Sequence, residues 1–88
     1  MLLLAGCGGN ASTLARGHAI FMEQCGKCHS LTGHDTRADG GDLALPRLSV
    51  ADIASFVRVM PLRRPLSRDD ELAVARYVHA RAVAAHSR

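Results

Sequence analysis

Tryptophan is absent, and the aromatic side chains amount to one Tyr and two Phe. Aromatic rings carry much of the burial in small cores. A chain of 88 residues made this way is short of apolar bulk, and chains of that size usually need a staple: disulfides, a metal or a cofactor. Three Cys cannot form a disulfide framework. Lysine is scarce as well, with Lys27 alone beside ten Arg. No dense basic run and no basic stretch interleaved with aromatics occurs, which argues against nucleic acid as a partner. The net charge of +3 is mild and points instead to an acidic protein surface. No segment reads as a strand. What is present is a single domain's length of Ala-, Leu- and Val-rich sequence, suited to packing around a large flat apolar body, and one concentrated motif.

That motif is Cys25-Gly26-Lys27-Cys28-His29. It reads C-x-x-C-H, the pattern of c-type haem attachment. Two thiols one helical turn apart can add to the two vinyl groups on one edge of a porphyrin. His29, next in the chain, then reaches the iron from one face. The alternatives are a zinc half-site and a thioredoxin-like redox pair. Zinc needs two further ligands, and there is no second C-x-x-C. A redox pair needs a βαβ setting, and the flanks read as helix.

Haem leaves Cys7 over. Leu4-Ala5-Gly6-Cys7 resembles the bacterial lipobox, in which the peptide is cut before the Cys and its thiol carries a diacylglycerol anchored by buried methylenes. Met1-Leu2-Leu3-Leu4 is too short to span a membrane. On this reading residues 1–6 are the end of a lipoprotein signal peptide, 7–12 a lipid-anchored tether and 13–88 the domain. Gly8 to Ser12 is then a leash of at most about 17 Å, which would hold the domain near the periplasmic side of a bacterial membrane. The alternative is an incidental Cys.

Along the chain, a first helix is expected from Ser12 or Thr13 into the motif, with Leu14, Gly17, Phe21 and Cys25 on one face. Gly17 costs such a helix about 1 kcal/mol relative to Ala, which is tolerated where another backbone must come close. Residues 30–45 read as loop. Within it, Gly40-Gly41-Asp42-Leu43 offers a backbone carbonyl to the His29 Nδ1 proton, a bond that would fix the ring and raise its basicity. A second helix begins at Ser49, where Ser49-x-x-Asp52 resembles a capping box and Leu48 with Ile53 a hydrophobic staple. Its apolar face is Ile53, Phe56 and Val57, and Pro61 stops it at Met60. Ser67-x-x-Asp70 caps a third helix that runs to about Ala84, with acids in its first turn and Leu72, Val74, Tyr77 and Val78 as buried positions. Met60 is the candidate sixth ligand. A thioether suits low-spin haem iron, and a residue 31 positions after His29 can reach the opposite haem face. The ordinary role of a Met is core filler. His34 is the alternative axial ligand, and the other His are read as solvated.

Gly17 and Phe21, eight and four residues before Cys25, resemble the first-helix signature of the class I c-type cytochromes. The resemblance covers residues 15–83 and implies an all-α cytochrome c fold: three main helices and loops wrapped around one covalently attached haem. It implies His29 and Met60 as axial ligands and a crossing of the first and last helices near Gly17, with Phe21 and Tyr77 packed there. The chain departs from the family where a Gly-Pro often follows the haem His, since Gly40-Gly41 stands there. It also has no Trp to bond a propionate, for which Arg47 and then Arg37 are the substitutes.

The function this implies is one-electron transfer within a bacterial periplasmic or respiratory chain, with partners such as a dehydrogenase, a respiratory complex or an oxidase. Lys27, Arg58, Arg63 and Arg64 are the cations expected to steer an acidic partner. Two rival readings remain: a five-coordinate haem protein acting as ligand sensor or peroxidase-like enzyme, and a haem-free C-x-x-C thiol or metal module.

Overall fold

The computed structural model describes residues 11–26, 29, 31, 41–44 and 48–86. These form three α-helices, α1 (Ala11–Gln24), α2 (Val50–Val57) and α3 (Arg68–His86), and include no strand. α1 takes Ala11 and Ser12 into its first turn, so the helix reaches into the segment expected as tether. It ends where the backbone N–H groups of both Cys25 and Gly26 converge on the Phe21 carbonyl, at 2.8 and 2.9 Å.

The two later helices start where the sequence places their caps. The Ser49 hydroxyl accepts from the Asp52 N–H at 3.1 Å, and Ser67 does the same for Asp70. Each satisfies one of the orphan donors of a first turn. Leu48 and Ile53 both pack on the core, as a staple requires. α2 closes in tightened turns, with Val59 N–H donating to Phe56 O and Met60 N–H to Val57 O. α3 runs two residues past Ala84 and carries Asp69, Asp70 and Glu71 in its first turn.

α3 packs against both α1 and α2. At the α1–α3 contact a Cβ placed on Gly17 would overlap the Ala73 carbonyl oxygen and stand 2.7 Å from Tyr77 Cβ. Gly17 is thus the residue that lets the two backbones meet. Tyr77 lies over the crossing, tilted against Phe21 at 6.0 Å and stacked on His18 at 5.0 Å. Arg16 fastens the same pair of helices through two bonds to the Asp70 carboxylate, Nε to Oδ1 at 3.0 Å and Nη2 to Oδ2 at 2.9 Å.

The core comprises Ile20 and Phe21 of α1, Ile53, Ala54 and Val57 of α2, and Ala73, Val74, Ala75 and Val78 of α3. Phe21 is the one aromatic among these buried residues, and the rest are Ile, Val and Ala. Phe56 departs from its expected place. It is 51% exposed, and Ala54 takes the buried position instead. At about 100° per residue, Ile53, Ala54 and Val57 share a stripe whose centre lies roughly 105° from Phe56, so Phe56 falls outside it. Leu72 and Tyr77 are half-buried rather than buried.

Candidate functional site

The site is built at the end of α1. Cys25 follows directly on its last residue, is half-buried and packs on the core. The His29 N–H donates to the Cys25 carbonyl at 3.0 Å. Cys28 lies outside the described residues, as do Cys7, Lys27, His34, Arg37 and Arg47.

The His29 ring is half-buried and oriented. Its Nδ1 lies 3.2 Å from the Gly41 carbonyl oxygen. A carbonyl can only accept, so Nδ1 carries the proton and the Nε2 lone pair is left for an electrophile or a metal. The backbone that presents this carbonyl is special. Gly41 has φ +89°, a conformation costly for any residue with a Cβ. The next residue, Asp42, is buried and folds its Oδ1 back onto the Ala44 N–H at 2.9 Å. This Asx turn stiffens the stretch after Gly41 and supplies locally the rigidity that a Gly-Pro pair would otherwise give.

Burial pushes the Cys25 thiol pKa up from its ordinary value. At neutral pH it is a protonated thiol and a weak nucleophile, unlike the activated cysteine of a redox pair. Among the described residues no group of three or more His, Cys, Asp or Glu could hold a metal ion, so zinc finds no further ligands there.

Met60 lies three residues beyond the end of α2 and is 39% exposed. With Phe56 and Val59, 51% and 76% exposed, it forms a run of large apolar side chains that the described protein atoms leave open. The donor set offered to a six-coordinate haem is therefore an imidazole with its Nε2 available, a half-buried thiol one turn earlier and a thioether beside uncovered apolar surface. The described residues fit such a group in chemistry.

The loop beyond Met60 is tied to the end of α1. Arg63 N–H donates to Gln24 Oε1 at 2.7 Å. Arg64 grips Glu23 with two bonds, Nη2 to Oε1 at 2.8 Å and Nε to Oε2 at 3.3 Å. That grip is the first cause holding the Glu23 carboxyl below its usual range and the Arg64 guanidinium above its own. Gln24 Nε2 is buried without a partner of hydrogen-bonding geometry, and the Gln24 side chain adds a smaller pull that lowers the Glu23 carboxyl. None of these ties was legible in the sequence.

Two of the expected steering cations are ion-paired within the chain. Arg58 is bonded to Glu71 at 3.0 Å and Arg64 to Glu23. Both charges are matched within the chain, and each pair presents a dipole more than a net positive field. Arg63 retains a side chain outside such a pair, although it too lies near enough to Glu23 to lower that carboxyl.

Among the described residues no helix is long and apolar enough to cross a membrane. The chain matches no protein family, no curated protein and no solved structure.

Proposed function

We propose that the chain is a monohaem c-type cytochrome that carries single electrons, not an enzyme, and works free or as a subunit of an oxidoreductase complex. Cys25 and Cys28 each add a sulfur and its proton across a haem vinyl double bond, so attachment consumes no oxidant. His29 and Met60 would be the residues that bind the haem iron, and Arg47 would meet a propionate. A diacylglycerol on Cys7 holds the domain at the periplasmic side of a bacterial membrane, beside its redox partners.

The observation that carries this reading is the Gly41 carbonyl 3.2 Å from His29 Nδ1. A metal-ligating imidazole needs its other nitrogen tied to an acceptor, and the loop after the C-x-x-C-H motif supplies one. The protonated, half-buried Cys25 thiol suits a covalent anchor better than redox chemistry of its own. When bound, the haem supplies a one-electron couple at its iron. The chain's share is to hold both axial ligands through the change of charge, to keep the His29 ring from turning and to leave no position for a substrate.

The test is maturation with the haem-attachment machinery, then denaturation and extraction of free haem. Colour that stays with the unfolded chain, and falls when Cys25 or Cys28 is changed to Ser, is the expected result. A colourless chain with two titratable thiols returns the motif to thiol or metal chemistry. The exposure of Met60 is what favours the second reading, a five-coordinate haem open to small ligands. It predicts a high-spin spectrum in place of the low-spin one that follows from two axial ligands.

A further inference from the structure

We propose that Gln24 is a positioning residue for Met60, latching the loop that follows the thioether ligand onto the turn that carries the first haem attachment point. This rests on the cytochrome reading and adds to it how the sixth ligand is kept at the iron.

The loop from 61 to 66 rests on the core through Leu62 and Leu66 but makes few hydrogen bonds of its own. Pro61 and Pro65 fix φ but have no N–H to donate. Among the described residues, the one hydrogen bond made by the loop's backbone N–H groups is that of Arg63 to Gln24 Oε1, at 2.7 Å. The acceptor belongs to the residue covalently joined to Cys25. The tether is therefore short on both sides: three residues from Met60 to Arg63, and one peptide bond from Gln24 to the first thiol. Whatever moves the Met60 loop away from α1 must break this bond.

The Arg64–Glu23 pair flanks the latch but is secondary. Its side chains are 43% and 44% exposed, and exposed pairs contribute little. The Arg63–Gln24 bond differs in that it uses the loop's own backbone N–H, so it holds the main chain rather than a side-chain tip. Arg58–Glu71 ties the other flank of Met60 to α3, so the thioether segment is held from two helices. An unlatched loop would let Met60 leave the iron for part of the time, and a competing ligand would bind in proportion to that open fraction.

Imidazole binding to the ferric, haem-loaded protein reads that fraction directly. Gln24→Leu, of similar volume but without an acceptor, is expected to raise imidazole affinity about fivefold, the scale of one lost hydrogen bond. It should also weaken the red-edge charge-transfer band of Met-bound ferric iron and speed exchange of the Arg63 amide proton. Gln24→Glu keeps an oxygen acceptor and is expected to stay within about twofold of the parent. Arg64→Gln should give a smaller rise than Gln24→Leu. A lowered melting temperature in Gln24→Leu with imidazole affinity and band unchanged overturns the latch and makes Gln24 merely structural. Equal rises for Leu and Glu also overturn it, since the acceptor would not matter. A chain that takes up no haem fails at the cytochrome reading itself, which the parent protein reveals before any variant is made.

Discussion

At Gly17 and Gly41 the same substitution meets opposite surroundings. Ala at 17 would gain about 1 kcal/mol of helix propensity, yet its Cβ would overlap the Ala73 carbonyl, which belongs to backbone and cannot rotate away. Overpacking of this kind costs about 1–3 kcal/mol, and more where backbone must shift. Gly17→Ala is therefore expected to lower the denaturation midpoint, and an unchanged or raised midpoint would mean that α1 and α3 do not cross so closely. Among the described residues Ala at 41 meets nothing within 4 Å, and the positive φ costs it about 1–2 kcal/mol. In the haem-loaded protein, Gly41→Ala should also loosen the Nδ1 bond of His29. A less basic imidazole stabilises ferric iron less, so potentiometry should find a higher reduction potential. A potential equal to the parent's would show that the Gly41 carbonyl does not govern the ligand. The sequence could flag both glycines, but only the arrangement of Ala73 and His29 around them says which one tolerates a side chain.

Elements were most legible where their signals are local. The Ser49 and Ser67 caps act within one turn, and the pattern of residues three apart was enough to find them. α2 has only eight residues, too short to persist without help, so Ser49→Ala should cost about 1 kcal/mol, read as a shift in the urea midpoint. What stayed hidden was what depends on a partner element. Ala73, Ala75 and Ala82 are buried, but Ala carries little hydrophobic signal. Phe56 carries a strong one and stays half exposed, because the stripe that α2 turns inward is narrow. Gln24–Arg63 and Glu23–Arg64 join residues 39 and 41 positions apart, beyond any local pattern. The Arg16–Asp70 pair joining α1 to α3 was hidden for the same reason, and it has a pH signature. The Arg16 hydrogen bonds hold the Asp70 carboxyl below its ordinary pKa. A depressed carboxyl stabilises the fold above its unfolded pKa, near 4, and that contribution is lost as pH falls through the lower folded value. Thermal melts below about pH 5 should therefore fall less steeply for Asp70→Asn than for the parent. Parallel curves would mean that the pair adds nothing to stability.

For the whole molecule, composition and core tell the same story. Among the described residues the buried core is one Phe with Ile, Val and Ala, and a bound apolar body could cover the exposed Phe56, Val59 and Met60. A covalent haem is the body that the motif at 25–29 calls for. The matched charges on Arg58 and Arg64 refine the expected partnership. Electron transfer to an acidic partner should slow only modestly with added salt, and a steep dependence would require a positive field that these pairs do not provide.

The most direct test of the central claim is the visible spectrum of the matured protein, oxidised and then reduced, with carbon monoxide added to the reduced form. A covalent low-spin haem with the red-edge band of Met-bound ferric iron and no response to carbon monoxide is the predicted result. A high-spin spectrum that shifts with carbon monoxide would take Met60 off the iron, and a protein without haem would contradict the account at its root.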